Sequence, residues 1–403
     1  MDVVIIGGGI AGLYCAYQLQ KRYSNIVLCE KDNRLGGRIH TYYGNGFSLE
    51  AGAGRFNHKH KLLIELIEEL GLRNKMVKIS SDFVYSDIHD NHLKKPLVSK
   101  LTILIGEIVV YSKFYSDEQL QKMTIIDLAE KILKKEDVEH IKNSFGYYSE
   151  LVIMNAKDAL HLIVENLNPL LEFYVLDGGL SQIIEEIKKK LNIKIIKNIE
   201  ITKIKYNQGF EIYSNKPMMK CKKCICAVPT NELRKIKLFH SLDSMLSKIK
   251  CSPLCRIYST FKEPWFSNLP KMSTNNQLRM IIPLNQGKVN TIMMSYTDNK
   301  FAKYWLDVYK KGKKEKVDEM IKKLTKQSTG MDVPKPMNTY MFYWECGVGY
   351  WGIGADSEKI SKQLIKPFKE IDFFVCGEHY SAKNQQWVEG ALDTANEVLR
   401  LIV

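Results

Sequence analysis

The first thirty residues hold the groups best suited to chemistry on a phosphorylated ligand. Gly7-Gly8-Gly9-Ile10-Ala11-Gly12 sets Gly7, Gly9 and Gly12 at the Gly-x-Gly-x-x-Gly spacing, and Glu30 follows eighteen residues later, next to Lys31. Gly7 permits a tight turn, Gly9 lets backbone approach a pyrophosphate, and Gly12 lets a helix pack against a strand. The N-terminus of the helix that follows, with Ala11 in the turn before it, would offer free N–H groups and positive potential to phosphate. A carboxylate at Glu30 can accept from ribose hydroxyls, which favours a free ribose over a 2′-phosphate. The elements needed to hold these groups are legible around them. Val3-Val4-Ile5-Ile6 reads as a buried strand, Leu13 to Leu19 as an amphipathic helix, and Ile26-Val27-Leu28-Cys29 as a second strand ending at the acid. Together they make a dinucleotide-binding βαβ unit. Further on, Ala51-Gly52-Ala53-Gly54 is small enough to pass close to a flat ligand, and it delivers Arg55 to the start of a helix from Lys61 to Leu70.

Composition excludes several classes. A chain of 403 residues has room for two domains, and 45% apolar content with 11 Pro argues against disorder. The first strand begins at residue 3, so no targeting signal is expected. The longest apolar run, Leu101 to Tyr111, is short of a membrane span and is broken by Glu107. The expectation is a soluble, cytoplasmic protein without a membrane anchor. Nine Cys in a chain this long do not read as a disulfide framework. Cys221, Cys224 and Cys226 lack a second cysteine pair or spaced His pair, so they read as structural thiols and no metal is expected. The net charge of +14 comes mostly from Lys spread through 187–190, 310–316 and 322–326, with no nucleic-acid module beside it. It reads as a solvated surface.

Asp32-Asn33-Arg34-Leu35-Gly36-Gly37-Arg38 follows the acid directly, and here the chain resembles the flavin-containing amine oxidases, which include monoamine, polyamine and L-amino acid oxidases. The resemblance recurs along nearly the whole chain and is weakest between about 77 and 170. It implies that Gly37 and Arg38 run along the pyrophosphate and flavin of FAD, and that the backbone at Ile201 meets the adenine. Gly52-Ala53-Gly54-Arg55-Phe56 resembles L-amino acid oxidases and tryptophan monooxygenases, whose Arg clamps the substrate carboxylate. Arg55 is the matching residue, and a planar guanidinium suits bidentate contact; an Arg that touches only FAD or a nearby acid is the plainer alternative. Cys251 to Phe266 resembles the strand that carries an active-site Lys in most members, and Arg256 stands in its place. Arg cannot release its proton in a protein, which bears on oxygen reactivity. Trp344 to Gly352 resembles the segment whose Tyr faces the flavin. Tyr350 matches best, with Trp351 the alternative, and Gly349 replaces the Cys that monoamine oxidases bond to FAD, so non-covalent FAD is expected. In Phe373 to Ala391, Gly377 and Glu378 match the acid that bonds ribityl or ribose hydroxyls, and Trp387 matches the second cage wall. The helix starting at Val388 matches the one whose N-terminus faces the flavin pyrimidine. His379 beside the acid is a weaker match for a base.

The expected fold is α/β: a Rossmann-type FAD-binding domain (1–76, 178–250, 345–403) interleaved with a mixed α+β substrate-binding domain (77–177, 251–344). The implied activity is oxidation of the C–N bond of an amine or L-amino acid. The flavin takes a hydride, the imine hydrolyses to a carbonyl and ammonia, and O2 reoxidises the flavin to give peroxide. The alternative is a same-fold dehydrogenase or desaturase with little oxygen use. The partners are then a small amine or amino acid and O2, with monomer and homodimer both open.

Overall fold

Val3–Ile6 is buried on both faces, which makes it an interior strand, and the rest of its unit is assembled around it. The computed structural model describes residues 1–81, 83–86, 99–168, 170–237, 240–284 and 289–402. The chain divides into two compact units, Met1–Ser80 with His161–Cys251 and Val348–Val403, and Ser81–Leu160 with Ser252–Gly347.

In the first unit, β1 (Val3–Ile6) pairs in parallel with β2 (Ile26–Cys29) on one side and with Lys223–Cys226 on the other. Lys194–Ile196 and Phe373–Val375 close the two edges, giving an all-parallel five-stranded sheet. Parallel sheets need cover on both faces, and the alternation of side chains supplies it. Val3 and Ile5 enter a cluster with Leu13 and Ala16 of α1 (Ile10–Leu19) and with Leu392 of the last helix, Val388–Leu401. Val4 and Ile6 enter a second cluster with Phe210, Trp351 and Phe373. Cys221, Cys224 and Cys226 are buried thiols of this second cluster, and burial pushes Cys221 up to about 12, so no thiolate forms. Cys251 and Cys346 are in disulfide form; the other seven cysteines are free.

The second unit carries a six-stranded sheet in the order Asn338–Trp351, Ile249–Thr260, Thr291–Asp298, Met280–Pro283, Met272–Thr274, Val84–Ser86. Sequence patterning marks 107–111 as strand-like, but these residues lie in the helix Lys100–Ser112. The Ser99 hydroxyl accepts from the Thr102 amide to start that helix, and Leu104 and Ile108 bury one face at a helical spacing. The expected Lys-rich helix, 314–327, is the second half of Asn299–Thr329, broken where Lys313 takes a positive φ of 51°. None of the described helices is long and apolar enough to cross a membrane.

Candidate functional site

The glycine turn between β1 and α1 is shaped by steric necessity. Gly7 has φ +105°, and a Cβ there would lie 2.4 Å from the Ala227 carbonyl oxygen. A Cβ on Gly12 would lie 2.0 Å from the Gly7 carbonyl oxygen, so the helix can pass this close only with Gly at that position. Gly9 differs, because a Cβ built on it meets nothing within 4 Å. The space in front of Gly9 is open, and α1 starts there with no side-chain cap and no acid in its first turn. Ala11 is buried within that turn. Glu30 is buried and holds the loop, with one oxygen accepting from the Gly8 amide at 2.7 Å and the other from the Asp32 amide at 2.8 Å. A carboxylate oxygen has a further lone pair, which leaves acceptor capacity for a hydroxyl. Lys31 turns aside to an ion pair with Glu232 at 2.7 Å. The second glycine pair closes on the first, as the Gly36 amide donates to the Gly8 carbonyl at 2.8 Å and Gly37 would place a Cβ 3.3 Å from Gly9 Cα.

Arg38 and Glu378 form the charged centre of the unit, at 2.6 Å. The same carboxylate accepts from the Gly349 amide at 3.1 Å and the Gln386 amide at 2.5 Å. Burial alone would push its carboxyl up, but Arg38 and the two amides outweigh it and hold the pKa below 4.5. Gly377 has φ +134°, and its amide donates to Thr394 on the last helix, which fixes the approach of Glu378. His379 is fully buried, and burial lowers its pKa to about 3. Its Nδ1 accepts from the Thr230 amide at 3.1 Å, so the ring is neutral and spoken for.

Arg55 lies on aromatic faces, with its guanidinium carbon 4.7 Å from the Phe173 ring centre and 5.8 Å from that of Trp387. Phe173 stacks against Trp387 at 6.4 Å, and His60 meets Trp387 edge-on at 4.7 Å. Burial lowers His60 to about 4, and it is neutral at pH 7. Its Nδ1 accepts from the Asn57 amide, so Nε2–H donates to Asn166 Oδ1 at 3.1 Å. Sequence reasoning brings Arg55 and Trp387 to one site and misses Phe173, His60 and Glu389. No motif marks the first two. Glu389 carries a faint mark as an acid in a helix first turn.

Glu389 follows Val388 at the start of the last helix, but its carboxylate reaches across to cap α2 (Lys61–Glu69), accepting from the Leu62 and Leu63 amides at 3.0 and 2.9 Å. Burial raises its pKa to about 7 from an ordinary 4.5. Between those values the folded state keeps a proton that the unfolded state has lost, so stability falls as pH rises from 4.5 to 7, by up to roughly 3 kcal/mol. Glu389→Gln should flatten that slope and leave the variant more stable than the parent above pH 7. Chemical denaturation at pH 5 and pH 8 measures it; equal slopes in the two proteins would contradict the assignment.

Tyr350 is fully buried, one residue after the Gly349 amide that binds Glu378. Trp351 is committed to the core, with its indole N–H on the Ser381 carbonyl at 2.9 Å. Gly54 is half-buried in the segment that leads to Arg55. Ile201 is buried in the second cluster beside Val27 and Cys29. Arg256 belongs to the second unit, where it is buried with its guanidinium carbon 4.4 Å from the Tyr296 ring centre, across the strand pair, and Tyr147 meets Tyr296 edge-on.

A parallel sheet, a glycine turn with an open front and an acid at the end of the second strand make a βαβ unit whose geometry suits a phosphate-bearing ligand. The chain belongs to the flavin containing amine oxidoreductase family, whose model matches residues 10–402. Membership implies a flavin cofactor and an oxidoreductase. The chain is 22% identical to achacin of Lissachatina fulica over 99% of this chain and 92% of that protein. It is 29% identical to an L-amino-acid oxidase of Mus musculus, over 37% of this chain and 24% of the mouse protein. Among solved structures, a double mutant of putrescine oxidase superposes with a TM-score of 0.81 at 17% identity, covering 100% of this chain and 98% of that one. This likeness establishes the amine oxidase fold.

Proposed function

We propose that the protein is an oxidase that binds FAD non-covalently and acts on the C–N bond of an amine bearing a carboxylate, an α-amino acid. The observation that carries the reading is Arg55, a cation laid on the faces of Phe173 and Trp387 in a cluster where His60 is neutral and Glu389 is turned away to α2. Such a cation suits a substrate carboxylate and repels a protonated amine. The relative named L-amino-acid oxidase agrees with it.

The residues present fit FAD. The open front of Gly9 and the uncapped start of α1 suit a pyrophosphate. Glu30 keeps lone pairs that would accept from ribose hydroxyls, and the helix from Val388 would offer its positive end to the flavin. When bound, the flavin would supply hydride acceptance and reoxidation by O2. The chain's part is positioning and solvent exclusion. Arg55 orients the carboxylate, Tyr350 and Trp387 wall the reacting amine, and their apolar faces favour its neutral form. Arg38 neutralises Glu378 and so keeps that carboxylate ionised beside the two amides. On this proposal the domain holding the dinucleotide is the first unit, and the second unit supplies the substrate domain, including Arg256.

Gly349 supports non-covalent binding. A Cβ there would meet the His379 ring at 2.8 Å, and His379 is locked by Thr230. Gly349→Cys is therefore expected to cost about 1–3 kcal/mol by overpacking and to gain no covalent flavin. Acid precipitation should release all the yellow chromophore from parent and variant alike; colour retained in the pellet would refute this. The proposal itself is tested by anaerobic bleaching of the bound flavin. An amino acid should bleach it, and the corresponding decarboxylated amine should not.

A further inference from the structure

Two buried donors in the Arg55 cluster have no acceptor. Among the described residues, neither Nε1 of the Trp387 indole nor Nδ2 of the Asn57 amide has a hydrogen-bond partner. Asn57 is wholly buried and Trp387 is 8% exposed. The rest of Asn57 is engaged, with Oδ1 accepting from the Lys59 amide at 2.9 Å and its own backbone amide donating to His60 Nδ1. That bond to Lys59 fixes the amide's orientation, since an oxygen must face the Lys59 N–H and the NH2 must point the other way. Asn57 stands directly across from Phe173 in the pairing of Phe56–Asn57 with Phe173–Leu176, so the two side chains leave the same face. Phe173 is the ring that stacks on Trp387 and underlies Arg55. The nearby titratable groups do not answer these donors. Both nitrogens of His60 are engaged, and Glu389 accepts from Leu62 and Leu63. Native interiors rarely leave buried donors unsatisfied.

We infer that Asn57 Nδ2 and Trp387 Nε1 are specificity-determining donors that share a substrate carboxylate with Arg55. The inference rests on the proposed role of Arg55 and extends it from one cation to a receptor of three donors. A carboxylate offers about four lone-pair sites and donates nothing, which is the complement of two buried N–H donors left without an acceptor. The chemical class selected is an α-amino acid, and an amine without a carboxylate leaves both donors buried and unanswered.

Asn57→Leu and Trp387→Phe each remove one N–H and keep most of the bulk. The probe is benzoate, titrated into the holoprotein and read by perturbation of the flavin absorbance. The second readout is selectivity for an amino acid over its decarboxylated amine. Each variant should weaken benzoate and lower that selectivity by about tenfold, with a melting temperature at or above the parent's, because a donor without an acceptor has been removed. Benzoate affinity within about twofold of the parent in both variants, with flavin bound, would overturn the inference. So would loss of flavin or a shifted flavin spectrum with benzoate binding intact, which would assign the donors to the cofactor's own carbonyl oxygens. If the parent fails to bind benzoate while oxidising simple amines, the Arg55 reading fails and takes this inference with it. If the parent binds and Arg55→Ala abolishes binding while the two variants do not, only this inference fails.

Discussion

Arg38→Met is expected to remove about 3 kcal/mol of stability and to yield protein that purifies without its chromophore. The reason is the isolation of Glu378. Its carboxylate is 7% exposed and receives two amide N–H groups, but Arg38 is its counter-charge at 2.6 Å. Removing one partner of a buried pair leaves the other uncompensated, which costs more than the pair contributes when intact. The figure sits at the low end of that range because the Arg38 side chain keeps 27% of its surface in solvent. The pH dependence has a definite sign. The Glu378 pKa is held below 4.5 in the folded protein, so its stabilisation is present above that value and is lost as pH falls through the lowered one. Without Arg38 the pKa rises, and the acid limb of the stability curve moves toward neutrality. Urea midpoints across pH 4 to 8 and the visible-to-ultraviolet absorbance ratio read both effects. A variant with the parent's midpoint and full colour would show that the two amides alone suffice. Arg38→Lys restores a charge without the fork geometry and should recover part of the stability.

Arg55→Ala has the largest effect expected on catalysis. A charged hydrogen bond to a carboxylate contributes about 1.5–3 kcal/mol, so KM for an amino acid should rise on the order of 10- to 100-fold. FAD should remain bound, because the open turn at Gly9, the buried Glu30 and the Arg38–Glu378 pair lie in other segments of the site. Phe173 and Trp387 lose the cation over their faces, which at a partly exposed site costs about 0.5–1 kcal/mol. Steady-state kinetics with an amino acid and its decarboxylated amine separate the two roles. Selectivity should collapse as the amino acid loses its advantage. Loss of flavin with unchanged selectivity would make Arg55 a cofactor residue.

The five-stranded parallel sheet and its glycine turn are legible in the sequence because their requirements are local. Gly7 and Gly12 have no steric alternative at their positions, β1 is apolar on both faces, and Glu30 ends the second strand, so three short-range constraints agree. The Arg38–Glu378 pair was legible only as two separate resemblances, since 340 residues separate its members. Phe173, His60 and Asn57 escaped notice because an aromatic, a histidine and an asparagine beside strands carry no spacing rule. Their roles come from the pairing of Phe56–Asn57 with Phe173–Leu176, a contact that no local pattern encodes. The 107–111 segment reads as strand because Ile108-Val109-Val110 has strand-forming side chains, whereas the Ser99 cap and the buried spacing of Leu104 and Ile108 make it helix. Glu389 reads as an ordinary first-turn acid until its carboxylate is seen on the start of a different helix.

Peroxide release by the purified yellow protein, measured under air against amino acids, monoamines and polyamines, decides whether it is an amino acid oxidase. Peroxide and ammonia are expected in equal amounts with one or more α-amino acids, and little of either with the matched decarboxylated amines. Silence across the panel, with flavin bound and reducible by dithionite, would contradict that expectation, and would point to Arg256, in place of the lysine of similar enzymes, as the mark of a different electron acceptor.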